Sequence, residues 1–318
     1  MLLPGFDELR VPTQLKMIDV LCLSVVAGLG WAAIRTRRPD AVTPALLAVA
    51  LGLLVEGWMV TAPMAAVPPL WTAVEPGDRT EPILELPLGP AHDFAATFRA
   101  AAHHRRVMNG VSGYDPPHYV ALREGLAARD PALLSAIASL GAFEIVIDTE
   151  ADPDRAHDRY AAGAPGSTQV LTDGLRTVYR VPQSGAAPPL GPSLSIADVQ
   201  AVRQPADARL MHDGRTDTGW TDHPQRPDQW VTADLGTTRD VGGVTTAIGE
   251  SPRDFPRRLA IELSTDRHAW DRVWEGMTFA HAFLAFVRAP REGGLQVTFA
   301  PRPARYLRLR QLEVSPHI

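Results

Sequence analysis

Two apolar runs near the N-terminus constrain this chain before anything else. MIDVLCLSVVAGLGWAAI occupies 17–34 and PALLAVALGLLVEGWMVTA occupies 44–62. Neither shows the polar stripe of a helix lying on a soluble core. A helix over the first run would be about 27 Å long, close to the thickness of bilayer hydrocarbon. The first run holds one acid, Asp19, near its entry, and the second holds Glu56 with Trp58 toward its far end. Between them RTRRPD carries Arg35, Arg37 and Arg38, and a short basic loop is retained in the cytoplasm. Both flanks then face outward, so residues 63–318 are expected outside the cytoplasm. A cleaved signal peptide would want a basic start and a small-residue cleavage site, whereas MLLPGFDELR supplies two acids and an early Pro-Gly. A buried soluble hairpin would be striped. Two membrane spans are therefore the preferred reading. Glu56 reads as an acid near the interface or facing further helices, and a functional intramembrane acid is the other reading.

The mean hydropathy of -0.06 averages this membrane region with an ordinary globular remainder. With 31 Lys+Arg against 36 Asp+Glu, the net charge of -5 gives no basis for nucleic-acid binding. The single cysteine, Cys22, lies in the first apolar run and excludes an intrachain disulfide or a cysteine metal site.

From residue 80 the pattern alternates. PILELPL (82–88) reads as a strand, and DFAATFRAAAHH (93–104), PHYVALREGLAARD (117–130) and PALLSAIASLG (131–141) read as helices. AFEIVIDT (142–149) is a strongly apolar strand expected at the sheet centre. TQVLTDGLRTVYRV (168–181) reads as a hairpin turning at Asp173-Gly174. Together they predict a small α/β domain with a mixed sheet over 70–182. Within it VMNGVSGYDPPHY (107–119) offers Asn109, Ser112, Tyr114, Asp115 and His118 as pocket-lining groups, or as a structured loop whose polar groups satisfy backbone. The adjacent His103 and His104 would diverge by about 100° on a helix, which suits a solvated basic end better than a metal site. No Ser-His-Asp order, Gly-rich phosphate loop or HExxH motif is present, so no catalytic set can be named.

QSGAAPPLGPS (183–193) has linker composition, and beyond it every strong signal is β. WVTADLG (230–236), VGGVTTAIG (241–249), RLAIELSTD (258–266), WDRVWEG (270–276), LQVTFA (295–300) and ARYLRLRQLEV (304–314) are separated by turns at sandwich spacing. Asp234-Leu235-Gly236 is expected to close a strand, and STDRHAW to turn a hairpin. In the last run Tyr306, Leu307 and Leu309 are set against Arg305, Arg308 and Arg310, with the arginines on one face.

The order DGRTDTGW, QWVTADLG, FPRRLAIELSTDRHAWDRV, ARYLRLRQLEV resembles the coagulation-factor V/VIII type C, or discoidin, module across 194–316. That resemblance implies an eight-stranded jelly-roll β-sandwich, with Trp220 and Trp230 in its core or floor. Its bacterial members are mostly carbohydrate-binding modules, so a glycan or cell-envelope polysaccharide is the expected partner, beside the lipid bilayer. It implies a structural calcium ion held by Asp213, Thr218, main-chain oxygens near Leu210 and Arg215, and Glu313. Arg215 departs from the Asp or Asn usual there. The resemblance places the ligand surface on loops at one end, with His223, Gln225, Arg226, Arg253 and Phe255 as candidates.

Upstream, LPGFDELRVPTQLKM resembles the loop before the late transmembrane helices of bacterial GT-C type membrane glycosyltransferases, and the NG-SGY-P pattern resembles the outer C-terminal domain of the same proteins over roughly 80–150. That resemblance implies a lipid-linked sugar donor, catalysis by early loops that this chain lacks, and further spans upstream in full-length relatives.

The expected fold class is thus multidomain. It comprises two transmembrane helices in 1–69, a small α/β domain in 70–182, a linker in 183–193 and an all-β discoidin-like sandwich in 194–318. The primary functional reading is an outward-facing binding protein of the bacterial inner membrane that recognises carbohydrate. The alternative is the tail of a GT-C type glycosyltransferase.

Overall fold

The computed structural model describes residues 15–57, 80–110, 115–185, 190–204, 206–215, 218–220, 224–227, 229–248, 253–290 and 293–314. The chain divides into two units, Met1–Val67 and Pro68–Ile318.

In the first unit, helix α1 runs Leu15–Arg37 and α2 runs Val42–Gly57. The helical stretches Ile18–Arg37 and Pro39–Gly57, the latter including a 3-10 turn before α2, are long and apolar enough to cross a membrane, and none of the residues in those windows is buried. Leu21, Leu23, Leu29, Leu47, Leu53 and Leu54 are each more than half exposed, which water would penalise by the whole transfer free energy of each side chain. The turn between them is a single 3-10 stretch, Pro39–Ala41, where Pro39 starts the new helical segment. Residues 58–62 of the expected second span lie outside the described residues.

The second unit begins with a four-stranded sheet in the order β1-β2-β4-β3. Its strands are β1 (Ile83–Leu86), β2 (Phe143–Asp148), β3 (Thr168–Thr172) and β4 (Arg176–Val181). β1 and β2 are parallel, and the other pairings are antiparallel. The parallel pair needs a crossover, and α3 (Pro90–His103), α4 (Pro117–Ala127) and α5 (Leu133–Ala138) supply it. α6 (Ala156–Ala162) leads into the β3–β4 hairpin, which turns at Asp173-Gly174 as its sequence predicts. α3 and α4 each open on a proline, whose missing N–H costs nothing at a helix start.

The C-terminal part carries β5 (Asp198–Ala201), β6 (Trp230–Ala247), β7 (Arg258–Ser264), β8 (Asp271–Met277) and β9 (Gly294–Gln311) in the order β5-β6-β9-β7-β8. Two expected pairs of strands are here single strands, each 18 residues long. Gly236 was expected to end a strand, but at φ +75 it sits at a register shift between Asp234 and Arg239, so β6 bends and continues. β9 bends opposite it, around Arg302–Ala304, so Pro301 and Pro303 fall where the ladder is already irregular. The far halves of β6 and β9 form a ribbon folded over the sheet. Val241, Val297 and Ala304 of the ribbon pack on Ile261, Leu263 and Leu307 of the sheet, which makes the two layers of a sandwich. The eight separate strands implied by resemblance thus correspond to five among the described residues.

Two features depart from an all-β module hung on a linker. Between β8 and β9 lies an amphipathic helix, α7 (Phe279–Arg288), burying Phe279, Phe283 and Phe286. These side chains join Leu122, Leu126, Leu133 and Ile137 of α4 and α5, with Phe255, in one continuous core. At its N-terminus, the buried Asp130 carboxylate accepts the Ala280 N–H at 3.1 Å and the Ala132 N–H at 2.9 Å, so one acid caps both α7 and α5. Arg257 reaches across to Glu124 of α4 at 2.7 Å. The cores of the two parts have thus merged.

Candidate functional site

The outer face of the five-stranded sheet gathers the polar groups of the C-terminal part. Side chains alternate along a strand, so burying Val199, Ala201, Val231, Ala233, Leu307 and Leu309 inward turns their neighbours outward. The register then sets them in rows. Asp198, Asp234, Tyr306 and Ser264 form one, and Gln200, Thr232, Arg308, Glu262 and Arg272 form the next. This corrects the alternation expected for the last strand: Tyr306 shares parity with Arg308 and Arg310, and so lies among the arginines rather than opposite them.

A shallow depression on this face is lined by Asp198, Gln200, Thr232, Asp234, Arg267 and Tyr306. Arg305 grips Asp234 with two hydrogen bonds of 2.9 and 3.0 Å, and the Gly236 N–H adds a third at 2.7 Å. Those Arg305 bonds are the main cause that holds the Asp234 carboxyl below its usual range. Arg267 enters from the β7–β8 turn at φ +67, an uncommon conformation for a side-chain-bearing residue. The turn fixes it there: Asp266 accepts the His268 and Ala269 N–H groups at 2.8 and 2.9 Å, and Ser264 accepts that of Arg267 at 2.8 Å. The Arg267 guanidinium donates to Gln200 and lies 5.7 Å from the centre of the Tyr306 ring, with Arg305 at 5.0 Å. No hydrogen bond involves the Tyr306 hydroxyl among the described residues. Beside the depression Arg308 stacks 4.0 Å over Trp270 and pairs with Glu262 at 2.7 Å.

The loop end expected to bind ligand is built differently. Phe255 is 0% exposed, set edge-on against Phe279 in the shared core with the Arg257 guanidinium 3.9 Å over its ring. Gln225 is also buried; it donates to the Phe255 carbonyl at 3.0 Å and accepts from Gln311 at 2.8 Å. These two side chains are structural ties, a correction whose cause is α7: its docking on α4 and α5 turns this end of the module inward. Arg226 and Arg253 are exposed, and His223 lies outside the described residues. Trp220 packs on Val199, Ala201, Ala208 and Val231 and donates to the Arg203 carbonyl at 3.0 Å. Trp230 begins the polar face opposite Arg310.

Asp213 and Thr218 are brought together at 2.8 Å, while the second Asp213 oxygen accepts the Arg215 N–H at 2.9 Å. Adjacent carboxylate and hydroxyl oxygens are donors of the kind that fit a calcium ion. A guanidinium is itself a cation, so a carbonyl is what the exposed Arg215 has to offer a metal ion. Glu313 follows β9, and its carbonyl accepts from Gln311 at 2.9 Å. No cluster of three His, Cys, Asp or Glu side chains is placed to hold a metal among the described residues.

In the α/β part, Asn109 is fully buried and spans Asp93 at 3.0 Å and the Glu85 N–H at 2.9 Å, which pins the 107–110 segment to β1. His118 meets Phe283 of α7 edge-on, and burial holds its imidazole below the ordinary range. Asp115 forms an exposed pair with Arg123, while Ser112 and Tyr114 lie outside the described residues. His104 takes the left-handed position that ends α3, and His103 accepts the Arg105 N–H, so the pair is used in capping the helix.

The rows, the bent strands and the 212–220 turn all belong to a segment that one family describes. Residues 196–317 match the F5/8 type C domain. The factor V/VIII type C module thus accounts for the C-terminal part of the chain. No curated protein matches the chain. Among solved structures, the chain is similar to the CBM32 of AlyQ in complex with 4,5-unsaturated mannuronic acid. The identity is 21%, over 38% of this chain and 85% of that one, with a TM-score of 0.29. It is similar to CpGH89CBM32-5 from Clostridium perfringens in complex with GalNAc-β-1,3-galactose, at 16% identity over 37% and 84%, TM-score 0.29. It is also similar to chitosan-binding module 1 from a Paenibacillus sp. IK-5 chitosanase/glucanase, at 20% identity over 38% and 86%, TM-score 0.30.

Proposed function

We propose that this protein is a membrane-anchored, extracytoplasmic binding protein whose F5/8 type C module recognises carbohydrate. The observation that supports it most is the match of residues 196–317 to that domain on a chain that also carries two apolar, unburied helices. The basic loop at Arg35–Arg38 favours an orientation with the module outside.

For the recognition surface we assign the depression around Tyr306. A sugar offers alternating donors and acceptors around a ring, and the depression presents groups of the same kind. Asp198 accepts, Arg267 donates, and Gln200, Thr232 and the Tyr306 hydroxyl can do both. The β7–β8 turn fixes the backbone of Arg267 and the sheet fixes Tyr306, so little ordering is needed on binding. Arg226 and Arg253, being exposed, are the contacts left to a site at the loop end. Calcium at Asp213 and Thr218 would be structural, tying the 213–218 turn.

A glycan array probed with the full chain in lipid nanodiscs, with and without calcium, tests the reading. Binding to one class of glycan in either condition is expected, and an array blank in both would overturn it.

A further inference from the structure

α3 carries an apolar stripe that has no partner among the described residues. Phe94 and Phe98, one turn apart, are 63% and 45% exposed, while the opposite side of the helix buries Asp93, Ala96 and Arg99. Ala91, Ala101 and Ala102, all exposed, extend the stripe by one turn before Phe94 and one after Phe98. Two phenylalanines side by side in water are a larger departure than scattered exposed leucines.

The helix has a cationic end. Arg106 supplies the charge and, like the neighbouring His104, is exposed, whereas Arg105 is set aside because it pairs with the buried Glu144 at 2.7 Å. The Arg106 carbonyl accepts the Ile83 N–H at 2.8 Å, so this end adjoins the start of β1. Residues 58–82 are all that separates β1 in sequence from α2. An apolar aromatic stripe, an exposed arginine at one end and a membrane helix a short way upstream are the marks of a helix lying in a lipid interface.

We infer that α3 docks on an anionic phospholipid surface, with Phe94 and Phe98 below the headgroups and His104 and Arg106 facing lipid phosphates. This rests on the reading of α1 and α2 as membrane spans. It adds to that reading a second contact, which would hold the extracytoplasmic part against the bilayer instead of leaving it on a free tether.

Nitroxide labels read by paramagnetic relaxation test it in the full chain, in nanodiscs containing phosphatidylglycerol. A label on native Cys22 reports the anchoring itself. In a C22S background, labels at F94C, F98C and A101C report α3, and V314C serves as an exposed reference. The three α3 labels replace exposed side chains, so the fold is retained. The expected result is strong relaxation by oxygen and weak relaxation by a water-soluble nickel chelate at 94, 98 and 101, with the reverse at 314. Nickel access at 94 and 98 equal to that at 314 would overturn the inference. So would protection from both reagents, which would mean that residues 58–79 or a second copy covers the stripe. If Cys22 itself reads as aqueous, the anchoring reading fails; if Cys22 is in lipid and 94 and 98 are not, only the docking of α3 fails.

Discussion

Gly125 gives a perturbation whose sign depends on whether α4 and α7 are packed together. It lies in α4, where alanine is ordinarily worth about 1 kcal/mol more than glycine. An exposed or loosely packed α4 would therefore gain stability from Gly125→Ala. A Cβ at this position would instead lie 2.8 Å from Phe279 Cβ and 3.0 Å from Leu133 Cδ2. The leucine methyl can rotate away, but Phe279 Cβ is fixed to the backbone of α7, so the two helices must move apart. Overpacking of this kind costs about 1–3 kcal/mol, enough to offset the propensity gain and leave a net loss of up to about 2 kcal/mol. For a unit of this size that is a fall in Tm of about 2–4 °C per kcal/mol. The assay is thermal unfolding of the full chain in detergent, followed by tryptophan fluorescence. Residues 80–182 contain no tryptophan, whereas the F5/8 part holds Trp220, Trp230, Trp270 and Trp274. A substitution in α4 should therefore shift a signal arising outside its own part of the chain. A rise in Tm, or a tryptophan transition that does not move, would refute the shared core.

Three further outcomes follow from single groups. Asp130→Ala removes the carboxylate that caps both α5 and α7, and should cost about 2–3 kcal/mol in urea unfolding; a change within experimental scatter would contradict the capping role. Arg305 lowers the Asp234 carboxyl in the folded state, so its contribution is present above the ordinary Asp range and lost as pH falls through the lowered value. Wild type should thus lose more stability than Asp234→Asn on acidification below about pH 4, and parallel pH profiles would exclude this contribution. If the 213–218 turn holds calcium, a chelator should lower Tm in wild type and leave Asp213→Ala unchanged; equal Tm values with and without chelator in wild type would remove the ion from the account.

Elements with unbroken periodicity were legible in the amino-acid pattern, and elements whose character depends on distant contacts were not. β2 reads as a central strand because FEIVID sets Phe143, Ile145 and Ile147 on one face with Val146 on the other, and Asp173-Gly174 announces its hairpin. α7 is masked in the pattern, although FAHAFLAFVR has helical spacing at 279, 283 and 286, because strong β signals surround it and its partners lie in α4 and α5. Gly236 was read as the end of a strand, but a positive φ can bend a strand as readily as reverse it. Phe255 and Gln225 looked like loop ligands because nothing local shows that α7 turns their loop inward. The depression was half visible. The parity of 306, 308 and 310 is open to counting, but the approach of Arg267 depends on a turn conformation and on β5, a short strand that the pattern does not announce.

The most direct test of carbohydrate recognition at the Tyr306 face is titration calorimetry of the nanodisc-bound full chain. The titrant is the strongest glycan from the array, and the comparison is between two double variants. Tyr306→Ala with Arg267→Ala should abolish binding while preserving the unfolding transition, and Arg226→Ala with Arg253→Ala should bind as wild type does. Binding lost in the second pair and kept in the first would move the site to the loop end and contradict the assignment made from the sheet face.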